Sequence, residues 1–358
     1  MIIADNNALA ELGAELTGHQ AIGLDTELLR ERTYYAQLCL LQLSWPAGTA
    51  CVDTLALPDL SPLRASLADP RCCKVLHAAR QDLEVLWPAT GPITGIFDTQ
   101  VAAALVGLPA QIGYADLVQQ LLDVSLSKAQ TRTDWSRRPL SAAQISYAVD
   151  DVRYLLPLRE RLTEQLQRLQ RFGWFEEEMA QLGAGGSFEI DPERAWLRVK
   201  GLTELDPQRR LLAQSLAAWR ERRAVSADRP RAWILPDAAV RDIVLQVPRS
   251  RQDLQAIAEL PEGIRNNSGA QLLEVIEAAQ LPPQLPPLPP RRRPDPAQIE
   301  TVRRLAEVTQ RAGRELGLAP EILATRRDME RLAAGEREGG PLSGWRREVI
   351  GQRLLQAL

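Results

Sequence analysis

An apolar run, Ile22-Gly23-Leu24, leads straight into Asp25-Thr26-Glu27 near the N-terminus. The pattern predicts a buried strand that carries two carboxylates to its end. Side chains at i and i+2 of a strand share a face, so Asp25 and Glu27 can reach one common point. Two buried acids side by side repel each other and resist ionisation unless a cation joins them. Carboxylate oxygens are the favoured ligands of hard cations such as Mg²⁺ and Mn²⁺, so the pair suits a divalent metal. A buried strand of this kind also requires a sheet around it.

The next hundred residues supply the sheet. Ala36–Trp45 is apolar with glutamine at intervals, Pro46-Ala47-Gly48 turns, and Thr49–Leu55 forms a third strand. Three strands with short links read as an antiparallel meander. Beyond it Leu60–Ala68 is helical, Lys74–His77 a short strand, Gln81–Trp87 helical and Ile96–Asp98 another strand. That alternation adds parallel strands. The expectation for residues 1–190 is an α/β domain with a mixed sheet. Within it, Ser127–Trp135 is a polar loop, and Ser141 can cap a long helix in which Tyr147 and Asp151, four apart, share one face. Gly183-Ala184-Gly185-Gly186 is a flexible break.

Residues 191–280 read as wholly helical, and 281–294 as a polyproline spacer, with a ligand for an aromatic groove as the competing reading. Residues 295–358 are helical again, and Trp345-Arg346-Arg347 is similar to Trp219-Arg220, which suggests a divergent second copy. The formal charge of −3 conceals an asymmetry. Residues 1–190 carry 15 basic and 23 acidic side chains, net −8, against 28 and 23, net +5, in 191–358. An acidic half that holds cations beside a basic half fits an enzyme acting on a polyanion; drift of surface composition is the alternative. Four cysteines and two histidines, without a C-x-x-C pair, argue against a zinc site or a disulfide framework and for reduced thiols. The N-terminus lacks a basic region followed by an apolar stretch, and no run of about 18 apolar residues occurs. A soluble, cytoplasmic protein is expected, with no membrane partner.

Two further motifs extend the first. His77-Ala78-Ala79-Arg80-Gln81-Asp82 places Asp82 at the opening of a helix after a strand, and Tyr147-Ala148-Val149-Asp150-Asp151 gives Tyr-x-x-x-Asp. The order Asp-x-Glu, His-x-x-x-x-Asp, Tyr-x-x-x-Asp resembles the three motifs of the DEDD superfamily of 3′→5′ exonucleases, tyrosine subclass. The flanks, among them Arg32-Thr33-Tyr34-Tyr35, Leu41-Gln42-Leu43, Phe97-Asp98-Thr99-Gln100, Arg132-Thr133-Asp134-Trp135 and Tyr154-Leu155-Leu156-Pro157, narrow the likeness to the ribonuclease D family, nearly end to end.

The resemblance implies a ribonuclease H-like exonuclease domain followed by two all-α HRDC-like domains, at 191–280 and 295–358. It also implies two divalent ions, Mg²⁺ or Mn²⁺. Asp25 would bridge them, Glu27 and Asp151 complete one site, Asp82 hold the other through water, and Tyr147 orient the attacking water. The activity implied is a monomeric exoribonuclease that trims tRNA precursors and other structured RNAs, releasing nucleoside 5′-monophosphates. A DNA exonuclease, or a binding scaffold with an inactive nuclease fold, are the alternatives. A helicase is disfavoured because no G-x-x-x-x-G-K-[ST] loop occurs.

Neighbouring residues keep two readings each. Asp150 is a solvated acid or the runner-up ligand. Asp98 is a helix cap or a metal ligand, and His77 a satisfied, half-buried histidine or a base. Lys128 is a phosphate contact or a loop lysine, and Arg220, Arg222 and Arg223 are an RNA-binding face or an ordinary helical surface. Leu28 stands where relatives often carry an aromatic residue, which leaves contact with the terminal base open.

Overall fold

The computed structural model describes residues 2–127, 133–183, 191–202, 205–279 and 295–358. Lys128 and the proline-rich segment 281–294 lie outside them. The chain divides into two compact units. One comprises residues 1–29, 38–186 and 294–358; the other comprises 30–37 and 187–293.

The first unit is built on a six-stranded sheet: β1 (Ile2–Ile3), β2 (Ala21–Leu29), β3 (Gln37–Trp45), β4 (Gly48–Val52), β5 (Cys73–Leu76) and β6 (Ile96–Asp98), in the order β1-β4-β3-β2-β5-β6. β3 and β4 pair antiparallel, while β1 with β4, β2 with β5 and β5 with β6 pair parallel. The mixed sheet expected from the sequence is thus present. The β2 strand sits in the middle, where both faces are covered, which is why Ile22 and Leu24 are wholly buried.

Helices α1 (Asn6–Leu16), α2 (Arg64–Ala68), α3 (Arg80–Thr90), α4 (Thr99–Leu105), α5 (Tyr114–Leu122), α6 (Ala142–Arg153), α7 (Leu155–Arg168) and α8 (Phe172–Gly183) surround the sheet. Gly23 marks the tightest approach. A Cβ there would come within 2.2 Å of Ser44 Oγ and 3.1 Å of Leu155 Cδ1, so only glycine lets α7 lie down on β2. Ser44 Oγ donates to the Val152 carbonyl at 2.8 Å and ties α6 to the same face. The buried stripe Leu155, Leu158, Leu162 and Leu166 along α7 has helical spacing and seals the core.

Residues 295–358 complete this unit. Leu305, Ala312, Trp345, Ile350 and Leu354 join the apolar core formed by Leu158, Leu162 and Phe175. Trp345 stacks on Trp174 with centroids 4.5 Å apart, its indole N–H donates to Glu178 at 2.8 Å, and Arg346 pairs with Glu178 at 2.5 Å.

The second unit is helical: α9 (Pro207–Ser226), α10 (Arg231–Ile234), α11 (Asp237–Gln246), α12 (Arg251–Ala256) and α13 (Glu262–Ala278) enclose a core of Leu212, Leu216, Val240, Ile243, Leu254, Leu272 and Ile276. The short segment 30–37 packs here. The Tyr34 hydroxyl donates to the buried Glu221, and the Tyr34 backbone N–H donates to Asp228 at 3.0 Å.

Candidate active site

The sheet and α6 bring three acids together. Asp25 and Glu27 leave one face of β2, and Asp151 comes from α6, whose start is fixed by a capping box between Ser141 and Gln144. One carboxylate oxygen from each of Asp25, Glu27 and Asp151 lies within 4.8 Å of the others. Tyr147, one helical turn before Asp151, donates its hydroxyl to that carboxylate. Its ring leans on Trp135 at 6.1 Å between centroids.

Asp82 stands outside that group of three and is 7% exposed. It sits in the first turn of α3 and accepts a 2.5 Å hydrogen bond from the Thr26 hydroxyl. Thr26 alternates with Asp25 and Glu27, so the residue between the two acids secures the fourth. The bend leading into α3 is itself held by Asp98. Its carboxylate accepts the Ala78 and Ala79 N–H groups at 3.0 and 2.8 Å while capping α4 through Gln100. Ala78 adopts a φ of 57°, a left-handed conformation that these contacts stabilise.

Electrostatics set the chemistry of the cluster. Burial, then the charges of Asp82, Asp151 and Glu27, hold Asp25 well above the usual carboxylate range. Burial and the neighbouring Asp151 and Asp82 push Glu27 to about 8. Burial raises Asp82 and Asp151 to about 7 each, against the opposing hydrogen bonds from Thr26 and Tyr147. Oxygen-only donors, close together and reluctant to ionise beside one another, fit a hard divalent cation, whose charge removes the repulsion.

Other sequence candidates are placed elsewhere. Asp150 pairs with Arg153 at 3.0 Å and is not in the acidic group. Asp98 is a cap. His77 is a satisfied histidine, with Nε2 at 3.0 Å from the Ile112 carbonyl and Nδ1 at 2.9 Å from the Thr99 hydroxyl, and burial lowers its pKa. Arg220 corrects the expectation of an RNA-binding face. It is 1% exposed and spends its guanidinium on the Leu235 carbonyl and Asp237, at 3.0 and 2.6 Å, so it closes the helical core and offers nothing to a phosphate. Arg222 and Arg223 are exposed; they line a cleft of about 750 Å³ with Trp219, over which Arg223 lies, and Arg222 pairs with Glu193. Thr26 and the bend-holding role of Asp98 carry no sequence signal, because both are contacts across the fold.

Residues 1–167 match the family model for a 3′-5′ exonuclease, and residues 210–276 match that for an HRDC domain. The chain is 37% identical to ribonuclease D of Nitrobacter hamburgensis over 99% of its length and 94% of that protein. It is 38% identical to ribonuclease D of Granulibacter bethesdensis, over 99% and 91%. The crystal structure of Escherichia coli RNase D, an exoribonuclease involved in structured RNA processing, superposes with a TM-score of 0.89 and 30% identity, covering 100% of this chain and 98% of that one. With three acids converging on β2 and α6 and likeness along its whole length, the chain belongs to the ribonuclease D family of 3′→5′ exoribonucleases.

Proposed function

We propose that the protein trims the 3′ ends of tRNA precursors and other structured RNAs by hydrolysis with two divalent cations, Mg²⁺ or Mn²⁺, releasing nucleoside 5′-monophosphates. The observation that carries this reading is the convergence of Asp25, Glu27 and Asp151 oxygens within 4.8 Å. Asp25, Glu27 and Asp151 would hold the cations, with Asp82 beside them. Two such ions bound there would lower the pKa of the attacking water and stabilise the departing 3′ oxygen. Tyr147, already hydrogen-bonded to Asp151, orients that water. His77 is not required as a base, since both its ring nitrogens are engaged. The structured-RNA part of the reading is supported by the likeness to Escherichia coli RNase D.

Arg222 and Arg223 are the proposed phosphate contacts of the helical unit. The protein is taken to act as a monomer in the cytoplasm, where its four free thiols suit a reducing compartment. Away from membranes is the matching assignment: no described helix is long and apolar enough to cross one.

The test is digestion of a 5′-labelled tRNA bearing a short 3′ extension, with Mg²⁺ or Mn²⁺, by wild type and Asp25→Asn. A ladder shortening from the 3′ end, abolished by the substitution, is expected. RNA left intact but bound by both proteins would overturn the reading in favour of a scaffold. A matched DNA strand degraded faster than the RNA would reassign the substrate.

A further inference from the structure

Gln42 is wholly buried near the centre of the sheet, and neither its Oε1 nor its Nε2 has a hydrogen-bond partner among the described residues. Buried side-chain amides are nearly always paired, so such a group calls for a physical explanation. Its position supplies one. β3 is the hydrogen-bonded neighbour of β2. A Cβ on Gly23 would touch Ser44 Oγ, and the Leu29 N–H donates to the Cys39 thiol. As β2 advances from Gly23 to Leu29, its neighbour therefore runs back from Ser44 to Cys39, and Asp25 stands across from Gln42. By alternation Gly23, Asp25, Gln42 and Ser44 share one face of the sheet. That face lies beneath α6, because Ser44 donates to Val152. On its other flank Gln42 meets Cys51, its partner in β4, which packs with Ala148 of α6.

Two of the other acids have an outer hydrogen bond from a side chain. Tyr147 serves Asp151 and Thr26 serves Asp82, whereas Asp25 takes the Thr26 backbone N–H. Carboxylates that ligate metals are generally oriented by such outer partners. We propose that Gln42 is a positioning residue of the exonuclease centre, its unpaired carboxamide reaching the Asp25 carboxylate when a divalent cation is bound there and orienting it by a hydrogen bond. This rests on the reading of Asp25 as a cation ligand. A carboxamide suits this role because it donates without adding a charge to a site crowded with acids.

The experiment is Mn²⁺ binding to the full chain without RNA, by titration calorimetry, for wild type, Asp25→Asn, Gln42→Met and Gln42→Asn, alongside thermal unfolding of the cation-free proteins. Methionine keeps the length and apolar packing and removes the hydrogen bonds. Mn²⁺ affinity of Gln42→Met is expected to fall by roughly 10–100-fold, while its cation-free unfolding midpoint stays level or rises, because an unpaired amide has been removed. Wild-type affinity in Gln42→Met, with Asp25→Asn impaired, overturns this inference alone. Wild-type affinity in Asp25→Asn overturns the cation reading beneath it. Should Gln42→Met fail to fold, Gln42→Asn decides: its amide is withdrawn by one methylene, weaker Mn²⁺ binding supports the inference, and unchanged binding overturns it.

Discussion

Removing divalent cations should make the stability of the exonuclease unit fall as pH rises from about 5 to about 8. In the unfolded chain the four acids ionise near pH 4. In the folded, cation-free protein Asp82 and Asp151 hold their protons to about 7, and Glu27 to about 8. Between those limits the folded state binds more protons than the unfolded state, so the free energy of unfolding declines with pH. The contribution is intact below the unfolded pKa and lost as pH passes the raised folded values. Asp151 moves from 3.8 to about 7, which counted in full is roughly 4 kcal/mol at about 1.36 kcal/mol per unit. Asp25, Glu27 and Asp151 are only half-buried and share one field, so solvent screens them and the shifts do not add. A loss of about 3 kcal/mol for the cluster is the expected size, or a drop of roughly 6–12 °C in the unfolding midpoint for a domain of this size. Thermal unfolding in chelator at several pH values reads it directly, and saturating Mn²⁺ should flatten the trend. A midpoint in chelator that is level or rises across this range would refute the reasoning, as would an Asp151→Asn variant that keeps the full slope.

Gly23→Ala should destabilise the protein by about 1–3 kcal/mol, because its Cβ would meet Ser44 Oγ at 2.2 Å and the facing helix cannot retreat freely; an unchanged unfolding midpoint would contradict the packing. Asp98→Ala removes a helix cap and two further backbone hydrogen bonds. It should cost about 1–2 kcal/mol in denaturant titration and lower kcat more than it raises KM, since the bend it holds carries Asp82. Arg220→Ala should cost about 3 kcal/mol by emptying a buried position and leaving the Leu235 carbonyl unpaired, whereas Arg223→Ala should leave the midpoint alone and weaken RNA retention in a salt-dependent way. Equal effects of the two on stability would remove the distinction drawn between them.

Legibility followed the range of the contact. Asp25 with Glu27 and Tyr147 with Asp151 were visible because their spacings equal the repeats of a strand and a helix, and those repeats set which side chains share a face. Asp82 was visible as a helix-opening acid, but its tie to Thr26 spans 56 residues and leaves no periodic trace. Arg220 was misplaced for the same reason. Trp219-Arg220-Glu221-Arg222-Arg223 reads as a charged stripe, yet Arg220 and Glu221 turn inward, and the acid that receives Arg220 lies on another helix. Periodicity likewise announces that the helices of 295–358 bury a face; it cannot say that Trp345 stacks on Trp174 of the exonuclease unit.

Hydrogen bonds from within the protein hold the elements that carry the acidic cluster. Ser44 holds α6 through Val152, Thr26 holds Asp82, and Asp98 holds the bend before α3. Each is a hydrogen bond from neighbouring structure, and the one from Thr26 favours the ionised form of Asp82. The scaffold therefore holds mutually repelling groups at ligand distance, and burial together with that repulsion raises their pKa values. A cation bound there would displace protons and cancel repulsion. Its affinity should consequently rise with pH through the same window in which the cation-free protein weakens, since both effects draw on the same protons. That coupling separates a buried metal centre from a chance surface patch of acids, which would be exposed, near its ordinary pKa and indifferent to pH above about 5.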